Sequence, residues 1–142
     1  MVHSLHFDEG QSWYKASQFA KALESFQNAL GVGDERAIPK VALAAYQNGN
    51  FKLCVDHCQK YIQHADCKVI LGVCYYSGSG VAENFEKSER LLKGAASEGH
   101  RLAKLNLSIL FNAMEKYGSY NALTCLQSSL LTVHNRRRIF LV

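Results

Sequence analysis

The apolar residues of this chain recur at spacings of three and four, which is the pattern of amphipathic helices. In residues 19–30, FAKALESFQNAL, an aromatic, a small, a large and a second small residue follow one another at Phe19, Ala22, Phe26 and Ala29. Runs rich in Val, Ile and Thr with a two-residue period are missing, so the pattern gives no reason to expect strands. We therefore predict an all-α fold.

The pattern of residues 19–30 returns three times farther along the chain. Residues 51–61 and 85–95 carry further copies, and residues 119–130 keep the small–large–small part. The copies start at Phe19, Phe51, Phe85 and Ser119, which are 32, 34 and 34 residues apart. A period of this length is typical of arrays of stacked helix pairs. The repeated positions, with three glycines of the third pair, are Ala22, Phe26, Cys54, Cys58, Gly72, Gly78, Gly80, Ser88 and Ala95.

Each copy predicts the second helix of a pair. The matching first helices are predicted at residues 5–17, 36–47, 66–77 and 100–115. Asp66 is predicted to cap the third of them. Gly72 lies in the middle of that helix, where it costs about 1 kcal/mol relative to alanine. Such a glycine is expected where two helices approach closely, and Ala22, Cys54 and Ser88 would serve the same contact.

Two glycines lie in the stretch SGSGVAEN, residues 77–84. A glycine-rich loop can cradle a phosphate, but the phosphate-binding loop carries GxxxxGK[ST] after a strand, and this stretch has neither feature. Gly78 and Gly80 are instead predicted to end one helix with positive φ angles. Asn84 is predicted to cap the helix that follows.

Residues 70–103 resemble a Sel-one-like repeat, a relative of the tetratricopeptide repeat. The positions that carry the resemblance are Leu71, Gly72, Tyr75, Gly78, Gly80, Val81, Asn84, Lys87, Ser88, Ala95, Ala96 and Gly99. The flanking pairs are similar to tetratricopeptide units. The resemblance implies a right-handed α-solenoid, a tetratricopeptide-like superhelix of about four antiparallel helix pairs. Its units would span about 5–32, 36–64, 66–98 and 100–131 within an array at 1–132, followed by a tail at 133–142.

The same resemblance implies a function without catalysis. Repeat arrays of this family are adaptors or scaffolds that bind a peptide or helix of another protein in a concave groove, so we expect no enzyme activity. Stacked repeats curve into such a groove, and its lining would come from the first helices. The helical phase selects Gln11, Tyr14, Lys40, Ala44, Tyr75 and Asn106 as groove residues.

The charge of the chain is concentrated at one end. Sixteen Lys and Arg residues stand against 12 Asp and Glu residues, a net charge of +4, and three of the arginines are Arg136, Arg137 and Arg138. The remaining chain is close to neutral, so we expect no nucleic-acid interface on the folded body. The arginines could bind a phosphate surface or act as an address, and the alternative is a solvated end or the terminus of a longer array. The apolar residues 139–142 would pack on the fourth unit, or be covered by a partner, by further repeats or by self-association.

Cysteines form the richest cluster of reactive side chains. Cys54, Cys58, Cys67 and Cys74 could build a metal- or thiol-dependent protein, which is the main alternative to the adaptor. Their spacing differs from the paired C-x₂₋₄-C of structural zinc sites. Cys54 and Cys58 also occupy core positions of their repeat, where a free cysteine acts as a small apolar residue. We therefore expect core packing, and no metal or cofactor.

The sequence indicates an intracellular, cytoplasmic protein. No window approaches 18 consecutive apolar residues, so no membrane span is expected. The start, MVHSLHFDEGQSW, lacks the basic and apolar regions of a secretory signal. In a reducing compartment the cysteines would remain thiols.

Overall fold

The computed structural model describes residues 3–117, and these form seven α-helices and no strand. The helices are α1 (Leu5–Lys15), α2 (Phe19–Gly31), α3 (Ala37–Gln47), α4 (Phe51–Lys60), α5 (Ala65–Ser77), α6 (Phe85–Ser97) and α7 (Arg101–Tyr117). The expected all-α fold is confirmed for this part of the chain. The second helix of the predicted fourth unit and the tail at 133–142 lie outside the described residues.

The chain divides into two compact units. The first ends at Cys67 and the second begins at Lys68, so the division falls within α5. In the first unit α2 packs against both α1 and α3, and α3 packs against α4. In the second unit α6 packs against α7, and the contacts of Gly72 with Leu92 and Ser88 join α5 to α6.

Side chains cap the starts of α1 and α6. Ser4 Oγ accepts from the backbone N–H of His6 (3.1 Å) at the start of α1. Asn84 Oδ1 accepts from the N–H of Lys87 (3.0 Å) at the start of α6, which confirms the predicted cap. The predicted cap at Asp66 is wrong. Helix α5 begins at Ala65, so Asp66 lies inside the first turn, where a carboxylate favours the positive end of the helix dipole.

Five helix ends share one backbone geometry. A residue with positive φ ends each helix, and the next N–H donates to the carbonyl five residues earlier, as in the Schellman motif. At Ser17 and Gly49, for example, Gln18 N–H reaches Trp13 and Asn50 N–H reaches Ala45, each over 2.9 Å. The other three ends have positive φ at Gly33, Gly78 and Gly99. Gly80 also has positive φ, so the conformation predicted for both glycines of the 77–84 loop is confirmed.

Glycine in the middle of a first helix allows a large residue of the second helix to approach. A Cβ atom on Gly10 would lie 2.6 Å from Phe26 Cδ1, and one on Gly72 would lie 3.0 Å from Leu92 Cγ. Ser88 Oγ also donates to the carbonyl of Gly72 (2.7 Å). The predicted close approach at Gly72 is therefore confirmed, and Gly10 makes the same contact in the first pair.

The same aromatic contact closes the first two hairpins. Tyr14 and Phe19 meet edge to face with ring centroids 5.3 Å apart at 68°, and Tyr46 and Phe51 meet at 5.2 Å and 69°. Both residues of the second contact lie 32 positions after those of the first. The fold is thus repeat-like at the level of the helical hairpin.

A partly buried ion pair joins the start of α1 to the turn between α2 and α3. The enclosed Asp34 carboxylate accepts two hydrogen bonds from the Arg36 guanidinium, 2.9 and 2.7 Å long, and one from the Ser4 N–H, 2.8 Å long. The hydrogen bonds from Arg36 hold the pKa of Asp34 well below its ordinary value, although burial opposes them. Arg36 also covers the ring of Phe7 at 4.1 Å. Asp34 is therefore ionised at neutral pH.

Among the helices formed by residues 3–117, none combines the length and the apolar character that crossing a membrane requires.

Candidate functional site

In the first unit, the first helices of two successive hairpins are linked near their C-terminal ends. The side chain of Tyr14 on α1 is hydrogen-bonded to that of Gln47 at the end of α3. Gln11, one turn before Tyr14, and Lys40, two turns before Gln47, are both half-buried. We call the surface formed by Gln11, Tyr14, Lys40 and Gln47 the α1–α3 face.

Tyr14 is the most constrained side chain of this face. Burial raises the pKa of its phenol, while the hydrogen bond to Gln47 opposes that rise. The ring also packs against Phe19. The phenol is therefore neutral at physiological pH and held in one orientation. It offers a polar atom on an otherwise apolar ring, a combination common at protein interfaces.

The face combines hydrogen-bonding groups with one cation. Two amides and a phenol can donate to and accept from a peptide backbone, and Lys40 supplies a positive charge. Such a set can bind an extended or helical segment of another protein. It holds no pair of side chains placed for proton transfer or nucleophilic attack.

Two of the six predicted groove residues do not reach the surface. Ala44 is fully buried, and Asn106 on α7 is 4% exposed. Ala44 shares α3 with Lys40 but points into the core with Ala45 and Val41. Both residues are therefore excluded from the candidate surface. Ala44 lies one turn after Lys40 on nearly the same side of α3, so helical spacing alone does not distinguish the buried residue from the accessible one.

Tyr75 belongs to the second unit. It is half-buried on α5, and Lys87 Nζ lies 5.4 Å from its ring centroid. A cation over an aromatic ring is a weak attraction at an exposed site. Tyr75 therefore remains partly accessible within its own unit.

The four predicted cysteines are core residues. Cys54, Cys58, Cys67 and Cys74 are all fully buried and present as free thiols. Hydrogen bonds with Cys54 and then Cys67, followed by burial, raise the pKa of the Cys58 thiol. A protonated buried thiol is a poor nucleophile and metal ligand. Within residues 3–117, no group of three His, Cys, Asp or Glu side chains has an arrangement that could hold a metal ion.

His57 links α4 to α3 through a hydrogen bond. Its Nε2 donates to the carbonyl of Ile38 over 2.6 Å, and its ring centroid lies 4.8 Å from that of Tyr61. Burial lowers the pKa of His57, with a smaller opposing effect from the hydrogen bond to Ile38. The imidazole is therefore neutral at physiological pH, which suits a donor to a backbone carbonyl.

Sequence reasoning missed two residues of the first unit, Gln47 and Asp34. Gln47 follows the apolar residues of α3 and carries no motif. Asp34 has a weak signal: a carboxylate directly after the positive-φ Gly33 and two residues before Arg36. The Arg136–Arg138 tail, with the phosphate-binding alternative attached to it, lies outside the described residues.

No family model matches the chain, and comparisons with curated proteins and with solved structures find no match either.

Proposed function

We propose that the chain is a non-enzymatic adaptor of the tetratricopeptide and Sel-one-like class. Its hairpins would stack as a right-handed α-solenoid of about four helix pairs, and a peptide or helix of a partner protein would bind along the first helices. The observation that carries this proposal is the hydrogen bond between Tyr14 of α1 and Gln47 of α3, which links two hairpins of matching geometry. Stacked hairpins of this kind present successive first helices along one extended surface.

The partner would bind the α1–α3 face through hydrogen bonds to Gln11, Tyr14 and Gln47, with Lys40 adding a charge contact. Tyr14 is the expected centre of the interface, because a rigid, half-buried tyrosine gives contact area at little cost in conformational entropy. Tyr75 would contribute in the same way in the second unit.

A matched pair of double variants tests the proposal. Gln11→Ala with Lys40→Glu changes the face, while Gln27→Ala with Lys52→Glu makes the same two substitutions on exposed positions of α2 and α4. The intact chain and both variants are used to capture partners from cell extract, and each captured protein is purified and titrated. We expect the first variant to weaken binding at least about tenfold and the second to leave it unchanged.

The folding of each variant is checked by circular dichroism and thermal unfolding. Equal binding by all three proteins would place the partner on another surface. Equal loss in both variants would show a general effect of charge and would also contradict the proposal.

A further inference from the structure

Three thiols of the first unit lie in contact where α4 ends and α5 begins. Cys58 is hydrogen-bonded to Cys54, one turn earlier on α4, and to Cys67 in the first turn of α5. All three side chains are fully buried, and Cys67 is the last residue of the first unit. We call Cys54, Cys58 and Cys67 the thiol cluster. Two thiols in contact are the starting point for a disulfide bond.

The connection between α4 and α5 differs from the other helix ends of the described chain. Helices α1, α2, α3, α5 and α6 are each followed by a residue with positive φ and by the hydrogen bond of the Schellman motif. Helix α4 has its C-cap at Tyr61, with φ −110°, and the Tyr61 N–H donates to the carbonyl of His57 over 3.1 Å. Because backbone hydrogen bonds hold this connection less firmly, the first turn of α5 can open while the rest of both helices stays folded.

Geometry selects Cys67 as the disulfide partner of Cys58. Residues four apart on a helix have Cβ atoms about 5–6 Å apart, whereas a disulfide needs a Cβ separation of about 3.5–4.5 Å. A bond between Cys54 and Cys58 would therefore distort α4. Cys58 and Cys67 lie on different helices joined by the short turn at residues 61–64, which can adjust to bring the two Cβ atoms together.

We propose that Cys58 and Cys67 are a modification site, at which a small disulfide compound such as glutathione disulfide forms a reversible bond between the two side chains. The bond would close a loop of ten residues, from Cys58 to Cys67, and lock the connection between α4 and α5. Closing a loop removes conformations from the unfolded chain, so oxidation should stabilise the fold. The proposal is independent of partner binding at the α1–α3 face.

The bond forms through two thiol–disulfide exchanges. The hydrogen bond from His57 to Ile38 keeps α4 on α3 while the first turn of α5 opens. The exposed Cys67 loses its proton to water, and its thiolate attacks one sulfur of glutathione disulfide, which releases one glutathione thiolate and leaves a mixed disulfide. Cys58 then loses its proton, attacks the Cys67 sulfur and releases the second glutathione. Two electrons pass from the protein thiols to glutathione disulfide, which is reduced to two glutathione molecules.

The closed thiol cluster protects its members from this reaction. The pKa of Cys58 is raised by the hydrogen bond with Cys54, then by the one with Cys67, and then by burial. Opening the first turn of α5 removes the contact with Cys67 and part of the burial, and so favours the thiolate that the exchange requires. Oxidation is therefore expected to be limited by this opening, and mild urea should accelerate it.

Trypsin separates the possible products, because lysines place Cys54 and Cys58 on the peptide of residues 53–60 and Cys67 on that of residues 61–68. The intact chain is oxidised with glutathione disulfide, the remaining thiols are blocked with N-ethylmaleimide in denaturant, and the digest is analysed by mass spectrometry without reduction. We expect the two peptides to be joined. A bond between the two cysteines of α4 would stay within the first peptide, and the other cysteines of the chain lie on other peptides.

Two variants on the same helix give the assignment its specificity. Cys54→Ala and Cys58→Ala each remove one fully buried thiol of α4, and circular dichroism verifies that both variants fold. We expect Cys54→Ala to keep the joined peptides and Cys58→Ala to lose them. In the intact chain and in Cys54→Ala, oxidation should raise the thermal midpoint by about 5 °C or more, and dithiothreitol should reverse the shift.

Three outcomes would overturn the proposal. The first is a digest in which the two peptides remain separate, whether unmodified or carrying glutathione, after oxidation in mild urea. The second is a pair of joined peptides that persists in Cys58→Ala, which would assign the bond to Cys54. The third is a thermal midpoint that oxidation leaves unchanged or lowers, because the bond would then not lock the connection between α4 and α5.

Discussion

At the scale of single residues, the core depends on a small side chain facing a large one. Phe26 and Leu92 are almost fully buried and lie at the same offset from the start of their helices, seven residues after Phe19 and Phe85. Each is opposed by a glycine on the first helix of its pair. The glycine lowers intrinsic helix stability by about 1 kcal/mol, and the close packing that it permits offsets this cost.

Replacing Gly10 by alanine tests this balance. The new Cβ would lie 2.6 Å from two atoms of the Phe26 ring, and Phe26 is fully enclosed, so the ring cannot move aside freely. We expect Gly10→Ala to lower the free energy of unfolding by about 1–3 kcal/mol, as overpacked cores do. Urea denaturation followed by circular dichroism measures the change.

Gly31→Ala is the matched control, because nothing lies within 4 Å of a Cβ at that position near the end of α2. It should leave stability unchanged or raise it by up to about 1 kcal/mol, through the better helix propensity of alanine. A Gly10→Ala variant as stable as Gly31→Ala would disprove the close-packing account.

At the scale of the elements, the sequence pattern located every helix of the described chain to within two residues. Second helices begin at the phenylalanines that mark the period, Phe19, Phe51 and Phe85. The ends of α1, α6 and α7 each differ by two residues, and α1 is the one that ends early, at Lys15 instead of residue 17. There Ser17 takes the left-handed conformation that the other turns give to glycine, and no propensity rule favours serine in it.

The candidate site was less predictable than the helices. Four of the six groove residues lie at accessible positions of their own unit, but Ala44 and Asn106 are buried. A first helix that packs on several neighbours has a narrow exposed stripe, and residues one turn apart on the same side can differ in burial according to what packs beside them. Gln47 and Asp34 gain their roles from partners 33 and 30 residues away, Tyr14 and Ser4, and local patterns carry no such information.

The pairing of α5 with α6 offers a test at this scale. Ser88 Oγ, fully buried on α6, donates to the carbonyl of Gly72 on α5. Ser88→Ala removes this bond between the two helices, and we expect a loss of about 1–2 kcal/mol in the free energy of unfolding. Ser97→Ala is the control. It deletes a hydrogen bond of the same length, 2.7 Å, from Ser97 Oγ to the carbonyl of Gly94 in the same helix, but this bond is exposed to solvent. We expect it to change the free energy of unfolding by less than about 0.5 kcal/mol. Similar losses in the two variants, measured by thermal unfolding, would argue against a specific role for Ser88.

At the scale of the whole molecule, α1 has three distinct sides. Phe7 and Gly10 meet Phe26 of α2, Tyr14 meets Gln47 of α3, and Leu5 with Trp13 faces solvent. The proposed α1–α3 face therefore depends on α1 being held in place. The partly buried Asp34–Arg36 pair holds the first turn of α1 through the Ser4 N–H.

This dependence predicts a loss of stability in acid. The folded-state pKa of Asp34 lies well below its ordinary value, so the ionised carboxylate contributes stability above the unfolded-state pKa of about 4. The contribution is lost as the pH falls below that value toward the folded-state pKa. Asp34→Asn should lower the thermal midpoint at pH 7. The difference in thermal midpoint between this variant and the unmodified chain should shrink as the pH falls from about 5 to about 2.

Glu35→Gln removes an exposed carboxylate one residue away and serves as the control. Its thermal midpoint should follow that of the unmodified chain at every pH, because the Glu35 side chain remains in water and forms no part of the pair. A constant difference between Asp34→Asn and the unmodified chain down to pH 2 would mean that the carboxylate charge does not hold α1. The first turn of α1 would then depend on the Ser4 cap and the packing of Phe7 alone.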